Sequence, residues 1–196
     1  MTRLAGLERT VKACGKCALA GSRRSVVFGS GDGSAGVMLI GEAPGKREDE
    51  TGVPFVGQAG KLLDKTLAAA GLAREEIYIA NVLKCRPPGN RNPRPEEIEH
   101  CRSWLDGQIE IIDPAVLVPM GNFALSLFAP EKTTIGAAHG RRFAYRGRFV
   151  IPIYHPAAIL YNRRLEPELV EDFRGIAGYA RRSGKIAGGK GPPPLS

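Results

Sequence analysis

Four cysteines are the first residues in this chain whose spacing invites chemistry. Cys14 and Cys17 form a C-x2-C pair, and Cys85 and Cys101 form a C-x15-C pair 67 residues further on. Disulfides seldom persist in a reducing compartment, so metal ligation outranks cross-linking. Four thiolates can hold tetrahedral zinc or an iron–sulfur cluster. Structural zinc sites often use two C-x2-C knuckles and only one is present here, which leans towards a cluster. Lys12, Lys16, Lys84, Arg86 and Arg102 flank the cysteines and would offset thiolate charge with either metal. All four ligand positions would be filled, so the expected role is structural. Four separate thiols are the plain alternative.

Other segments carry polar groups at places where a chain must turn. Residues 41–49 read Gly41-Glu42-Ala43-Pro44-Gly45-Lys46-Arg47-Glu48-Asp49. Glycines admit close backbone approach, and carboxylates beside them could position a water or stabilise a developing cation. No Gly-Lys-Ser/Thr closes the segment, so it is not a phosphate-binding P-loop. Phe55, between Pro54 and a glycine-bounded helix start, could stack on a base or simply anchor its loop. Asn81 ends a strand and offers an acceptor beside a donor, the pattern that reads a base edge. His155 precedes Pro156, which suits the first position of a helix, so the imidazole belongs at a strand-to-helix corner. There it could stabilise a departing anion. The stretch Ile159-Leu160-Tyr161-Asn162-Arg163-Arg164 sets an apolar group beside paired arginines, suited to the gap left by a flipped base and to phosphates. Loop 86–94, with Arg86 and Arg91 among prolines, is a second candidate for backbone contact. Solvated surface is the bland reading of each.

The elements around these residues alternate. Helices are expected over 2–13, 59–70 (closed by Gly71), from Pro95 to about Ile112, over Asn122–Phe128 and over about 167–181. Strands are expected at Val37–Ile40, Ile77–Val82, Ala115–Pro119, Phe143–Tyr145 and Phe149–Tyr154, with 26–36 and 86–95 as loops. Alternation of this kind implies an α/β fold with a mainly parallel sheet. Segments 41–49, 81–92 and 154–164 each follow a strand end, so they should meet at one rim of that sheet. One domain is expected over 1–182, followed by a disordered basic Gly/Pro-rich tail over 183–196. The 196 residues carry a formal charge of +8. Residues 140–196 hold 11 Lys and Arg against 4 Asp and Glu, while the rest is nearly neutral. A one-sided basic region points to a polyanion. No apolar run spans a membrane and no signal-peptide core opens the chain, so no membrane partner and a cytoplasmic location are expected.

Taken together, the motifs resemble the family 4 uracil-DNA glycosylases, the iron–sulfur thermostable-type branch. The resemblance covers about residues 8–175 and rests on GEAPGKRED (41–49), GVPFVGQAGKLLD (52–64), NVLKCRPPGNRNPRPEE (81–97) and YHPAA (154–158), in that order. It implies a three-layer α/β/α sandwich around a four-stranded, mainly parallel sheet. It implies a [4Fe–4S] cluster on Cys14, Cys17, Cys85 and Cys101. Phe55 should stack on an extruded uracil, Asn81 should read its edge, and Ala43 should line the base site. His155 should stabilise the leaving base, with Glu42 and Glu48 as the family's acids and Glu48 favoured for water or cation. Arg86, Arg91, Arg163 and Arg164 should face DNA. The implied activity is release of uracil from single- or double-stranded DNA by a monomer, without strand cleavage, since no Schiff-base lysine stands in these motifs. A non-catalytic metal-containing DNA-binding module is the alternative. Two departures narrow the branch. The stretch PPGNRNPRPEE has neither the insertion nor the histidine that traps a related branch on DNA, and Glu42 stands where a broader-specificity branch lacks an acid.

Overall fold

The computed structural model describes residues 2–130 and 132–182; the tail expected from Ser183 lies outside the described residues. In chain order the elements are α1 (Arg3–Lys12), β1 (Ser30–Gly31), β2 (Val37–Gly41), α2 (Lys46–Thr51), α3 (Gln58–Ala69), β3 (Tyr78–Asn81), α4 (Pro95–Ile112), β4 (Val116–Pro119), α5 (Gly121–Leu125), α6 (Ile135–Ala138), β5 (Phe143–Tyr145), β6 (Arg148–Val150), α7 (Pro156–Tyr161) and α8 (Glu166–Arg182).

Their strands form one sheet in the order β1–β3–β2–β4–β6–β5. The four central strands are mutually parallel, and β1 and β5 pair antiparallel at the two edges. The expected four-stranded sheet is therefore the parallel centre of a six-stranded mixed sheet. One edge strand was read as loop. Ser30 and Gly31 carry no apolar signal, and they pair with Ile79 and Tyr78 through backbone alone. The strand expected over Phe149–Tyr154 is also shorter than the sequence suggests. Pro152 has no N–H to give, and its carbonyl accepts from Gly140 N–H at 2.9 Å instead. An isolated bridge between Met120 and Ile153 carries the pairing on towards His155.

Strands β2, β3 and β4 are buried on both faces, which explains their largely apolar runs, whereas β6 leaves Phe149 exposed. Val37 and Leu39 of β2 and Val116 and Val118 of β4 pack with Leu63, Leu67, Ile159, Phe173 and Ile176. Those partners lie on α3, α7 and α8. Met38, Ile40 and Leu117 point the other way, against Val11, Leu105, Ile109 and Ala124 of α1, α4 and α5. Helices thus cover both faces of the sheet. Among the described residues, no helix is long and apolar enough to cross a membrane.

Three chain segments leave the sheet at its carboxyl rim. Gly41 ends β2, Asn81 ends β3, and the chain beyond β6 reaches His155 at the start of α7. Register places them side by side: Gly41 pairs with Asn81 across β2 and β3.

Candidate active site

A cavity of about 210 Å³ opens at this rim, walled by Glu42, Ala43, Phe55, Asn81, Arg91 and His155, with Glu48 beside them. The structure brings together every residue that the sequence marked for base recognition and bond cleavage. Ala59 at the start of α3 and Asn90 in the loop after β3 also line the wall; both stand inside the motifs, though neither was singled out there.

Asn81 is 2% exposed, and its Oδ1 is buried with no hydrogen-bond partner among the described residues. An orphaned buried acceptor costs about 1–3 kcal/mol, so a ligand N–H in the cavity would relieve a standing penalty. Gly41 makes room for this amide. A Cβ there would lie 2.4 Å from Asn81 Oδ1 and 2.7 Å from the Phe55 ring.

Phe55 is held in an unusual conformation, with φ of 54°, inside a turn between α2 and α3. Such a value costs a non-glycine residue of order 1–3 kcal/mol and persists only where the surroundings impose it. Two charged side chains impose it here. Arg74 donates to Pro54 O at 2.7 Å and to Phe55 O at 3.3 Å, while its other contact is Asp64 Oδ1 at 2.6 Å. Glu48 Oε1 accepts from the next two amides, Val56 N–H and Gly57 N–H, both at 2.9 Å. Gly60 lets α3 close over the turn, since a Cβ at that position would lie 1.8 Å from Phe55 O. The Phe55 ring thereby stands 5.6 Å from the His155 ring, centre to centre.

His155 caps α7, its Nδ1 accepting from Ala157 N–H at 3.1 Å. A ring nitrogen that accepts carries no proton, so the proton of the neutral imidazole sits on Nε2. Burial pushes the imidazole down to about 4, so it is neutral at physiological pH. Burial likewise raises Glu42 above the usual carboxylate range. The rim thus offers an uncommitted acceptor, a neutral N–H donor, an aromatic face and two carboxylates around one small space.

Residues 28–174 match the family model described as the uracil DNA glycosylase superfamily. A type-4 uracil-DNA glycosylase of Archaeoglobus fulgidus is 44% identical, with 98% of this chain and 97% of that protein covered. Another, from Thermotoga maritima, is 43% identical over 91% of this chain and 95% of that protein. A third, from Sulfurisphaera tokodaii, is 40% identical over 90% and 84%. This chain belongs to the type-4 uracil-DNA glycosylases. It is a DNA-repair hydrolase that cleaves the N-glycosyl bond of uracil.

In this glycosylase the four cysteines line a second, apolar pocket between α1, the loop after β3 and α4, together with Val11, Ala20 and Trp104. Each approach to sulfur comes from an N–H. Trp104 Nε1 lies 3.4 Å from Cys14 Sγ, an Arg23 guanidinium nitrogen 3.4 Å from Cys85 Sγ, and the Lys84 amide nitrogen 3.3 Å from Cys101 Sγ. Burial pushes the Cys85 thiol up to about 11 and shifts Cys101 in the same direction. Among the described residues, no three His, Cys, Asp or Glu side chains are grouped so as to hold a metal ion.

Two buried supports stand inside the motifs without having been given these roles. Lys84, read from the sequence as one basic neighbour of the cysteines, is 1% exposed. Its ammonium donates to Asn81 O at 2.8 Å and to the Gln108 side-chain carbonyl. Gln108 donates in turn to Phe28 O at 2.8 Å and to the Tyr78 hydroxyl at 3.2 Å. The backbone of Asn81 is therefore moored to α4 through an interior polar chain. Asp49 is equally buried, and its Oδ1 accepts from Arg24 N–H at 2.9 Å, which ties α2 to the segment before β1.

The arginines divide. Arg91 lines the base cavity but is forked onto Glu97, at 2.9 and 2.6 Å. Glu97 is nearly buried and also accepts from Arg94 N–H at 2.9 Å. Arg86 donates to Asn90 Oδ1 at 2.7 Å. Arg163 and Arg164 are exposed beyond α7, outside the base cavity, and Tyr161 beside them is 93% exposed.

Proposed function

We propose that the glycosylase extrudes a deoxyuridine into the rim cavity and hydrolyses its N-glycosyl bond with the residues gathered there. The observation that carries this reading is that Asn81, whose buried Oδ1 has no hydrogen-bond partner among the described residues, lines the same cavity as His155. Uracil presents an N3–H donor beside its O4 acceptor, and an asparagine amide complements both. Cytosine presents an acceptor at N3 and would leave Oδ1 orphaned. Lys84 and Gln108 moor the backbone of Asn81, which sets where its amide stands at the cavity. Phe55 supplies the stacking face, and Ala43 with Pro44 closes the far side.

As the bond to C1′ stretches, charge separates into an oxocarbenium-like sugar and a uracil anion. His155 donates from Nε2 to the O2 of the departing base. As a neutral donor it stabilises the anion without first losing a proton. Glu48, fixed at Oε1 by two backbone amides, keeps Oε2 available as negative charge facing the sugar. Glu42 has its proton affinity raised, which suits a group that takes a proton from the attacking water. Water adds at C1′, and free uracil and an abasic site result.

The donor set in the second pocket fits a [4Fe–4S] cluster on Cys14, Cys17, Cys85 and Cys101. Four thiols surround an apolar space, and N–H groups already point at three of the sulfurs. When bound, the cluster would supply a cross-link between α1, the loop after β3 and α4. Arg86, Arg163 and Arg164 are placed to meet phosphates, and exposed Tyr161 beside Leu160 is placed to enter the gap left by the extruded base.

The test is uracil release from an oligonucleotide carrying one uracil, with cytosine or thymine at the same position as controls. Free uracil from the first alone is expected. Equal release of cytosine would refute the Asn81 reading, and no release from any would refute the reaction.

A further inference from the structure

A separate open cleft of about 270 Å³ lies between α3 and the α7 end of the chain, outside the base cavity. Its apolar lining is made by Leu62 and Leu160, with buried Ile159 behind them. Its rim is basic, made by Lys61, Lys65 and Arg163, with Glu166 the one acid among its lining residues. Lys65 is engaged by Glu166 at 2.9 Å. Lys61 and Arg163 have no carboxylate partner among the described residues. The cleft therefore keeps a surplus of positive charge above an apolar surface.

Its position relative to the base cavity is fixed by two helices. Ala59 at the start of α3 and His155 at the cap of α7 both wall the base cavity. Ile159 follows His155 by four residues, and Lys61 and Leu62 follow Ala59 by two and three. The cleft thus sits about one helical turn, or roughly 5 Å, from the base site along both helices. That is a step on the scale between neighbouring bases of an unstacked strand.

We propose that this cleft is a subsite for the nucleotide next to the extruded uridine in the same strand. The face of its base lies on Leu62 and Leu160, and its phosphate meets Lys61 and Arg163. This rests on the uracil-release reading above. Occupancy of both sites would hold the strand unstacked on one side of the uridine, so affinity would depend on a nucleotide that the chemistry does not touch.

Three single-stranded substrates test it: uracil inside the oligonucleotide, at its 5′ end, and at its 3′ end. The wild-type enzyme should show a lower KM for the internal substrate and for one of the two terminal ones, with kcat little changed. Lys61→Glu should remove that advantage while leaving turnover of the other terminal substrate at the wild-type level. For the internal substrate it should lower the slope of log affinity against log salt by about 0.7, one phosphate contact on a single strand. Leu62→Phe, which fills the floor, should remove the same advantage without changing the salt slope. Equal KM for all three substrates in the wild-type enzyme would overturn the subsite, as would equal losses on all three in both variants. Absence of uracil release by the wild-type enzyme from any of them would instead overturn the reading of the base cavity.

Discussion

Replacing His155 by alanine should lower the rate of uracil release about 100- to 1,000-fold, because one preorganised donor in a water-poor cavity is removed. The loss corresponds to roughly 2.7–4 kcal/mol of transition-state stabilisation. The same substitution does a second thing. It deletes the cap of α7, where Nδ1 accepts from Ala157 N–H at 3.1 Å. A lost cap costs about 1 kcal/mol of stability, which in a chain of this size lowers Tm by roughly 2–4 °C. The two effects separate in His155→Asn. Asparagine is a good cap, but its short amide cannot bring an N–H to where Nε2–H stands. Thermal stability should return to the wild-type value while the rate stays low. Single-turnover uracil release at saturating enzyme reads the first quantity, thermal unfolding the second, and binding to uncleavable DNA checks that affinity is kept. Near wild-type release by His155→Asn would refute the donor assignment. A loss in Ala that appears only as weaker DNA binding would refute it too.

Further outcomes follow from the same geometry. The folded chain binds a proton at His155 less readily than the unfolded chain, because burial holds the group at about 4 against an ordinary value near 6.5. The effect on stability is therefore absent above about pH 6.5 and grows as pH falls towards 4, approaching about 3 kcal/mol. Urea unfolding should show the wild-type enzyme losing stability more steeply than His155→Asn over that window, and parallel curves would contradict it. Arg74→Ala frees the carbonyls of Pro54 and Phe55, so kcat/KM should fall about tenfold, from hydrogen bonds to a charged group worth roughly 1.5 kcal/mol or more. Arg74→Lys should recover part of that loss, and unchanged kcat/KM in Arg74→Ala would remove the clamp from the argument. Cys85→Ser should abolish absorbance near 400 nm and lower Tm by about 10 °C, as expected when a bound metal centre contributes to folding. A colourless wild-type enzyme carrying one zinc would overturn the cluster.

Legibility in the sequence followed the kind of signal each element carries. Strands β2, β3 and β4 were readable because a strand buried on both faces must be largely apolar, as in Val37-Met38-Leu39-Ile40. Helix α4 was readable at both ends, through Pro95 with its acids and the apolar spacing up to Ile112. Edge strand β1 was not readable, since Ser30 and Gly31 contribute only backbone to the sheet. Asn81 could be singled out because it stands where a strand stops, and His155 because Pro156 marks the start of a helix beside it. Arg74 and Lys84 could not. Their partners are main-chain carbonyls, 19 and 20 residues away for Arg74 and three for Lys84, and a carbonyl has no residue type to match. In sequence each is one basic residue among 28.

That asymmetry says how the site is built. The polar groups that wall the rim cavity are few, and most follow the ends of parallel strands, where geometry is inherited from the sheet. Phe55 does not, and the structure spends two charged side chains on it. Arg74 takes two successive carbonyls and Glu48 the next two amides, so one backbone group in each of four consecutive residues, 54 to 57, is fixed by opposite charges. A turn held this way cannot relax to a conformation with negative φ without leaving at least one of those charges unsatisfied. The aromatic face is therefore in position before any base arrives, and the ordering entropy of the turn is met on folding rather than on binding. The same logic gives Glu48 two tasks that cannot be separated by deleting it. Glu48→Ala releases the Phe55 turn as well as removing a carboxylate, whereas Glu48→Gln keeps an acceptor for both amides and removes only the charge. If the charge matters to the sugar cation, Gln should lower kcat with KM unchanged and Ala should worsen both. If Glu48 is only a clamp, Gln should behave as wild type.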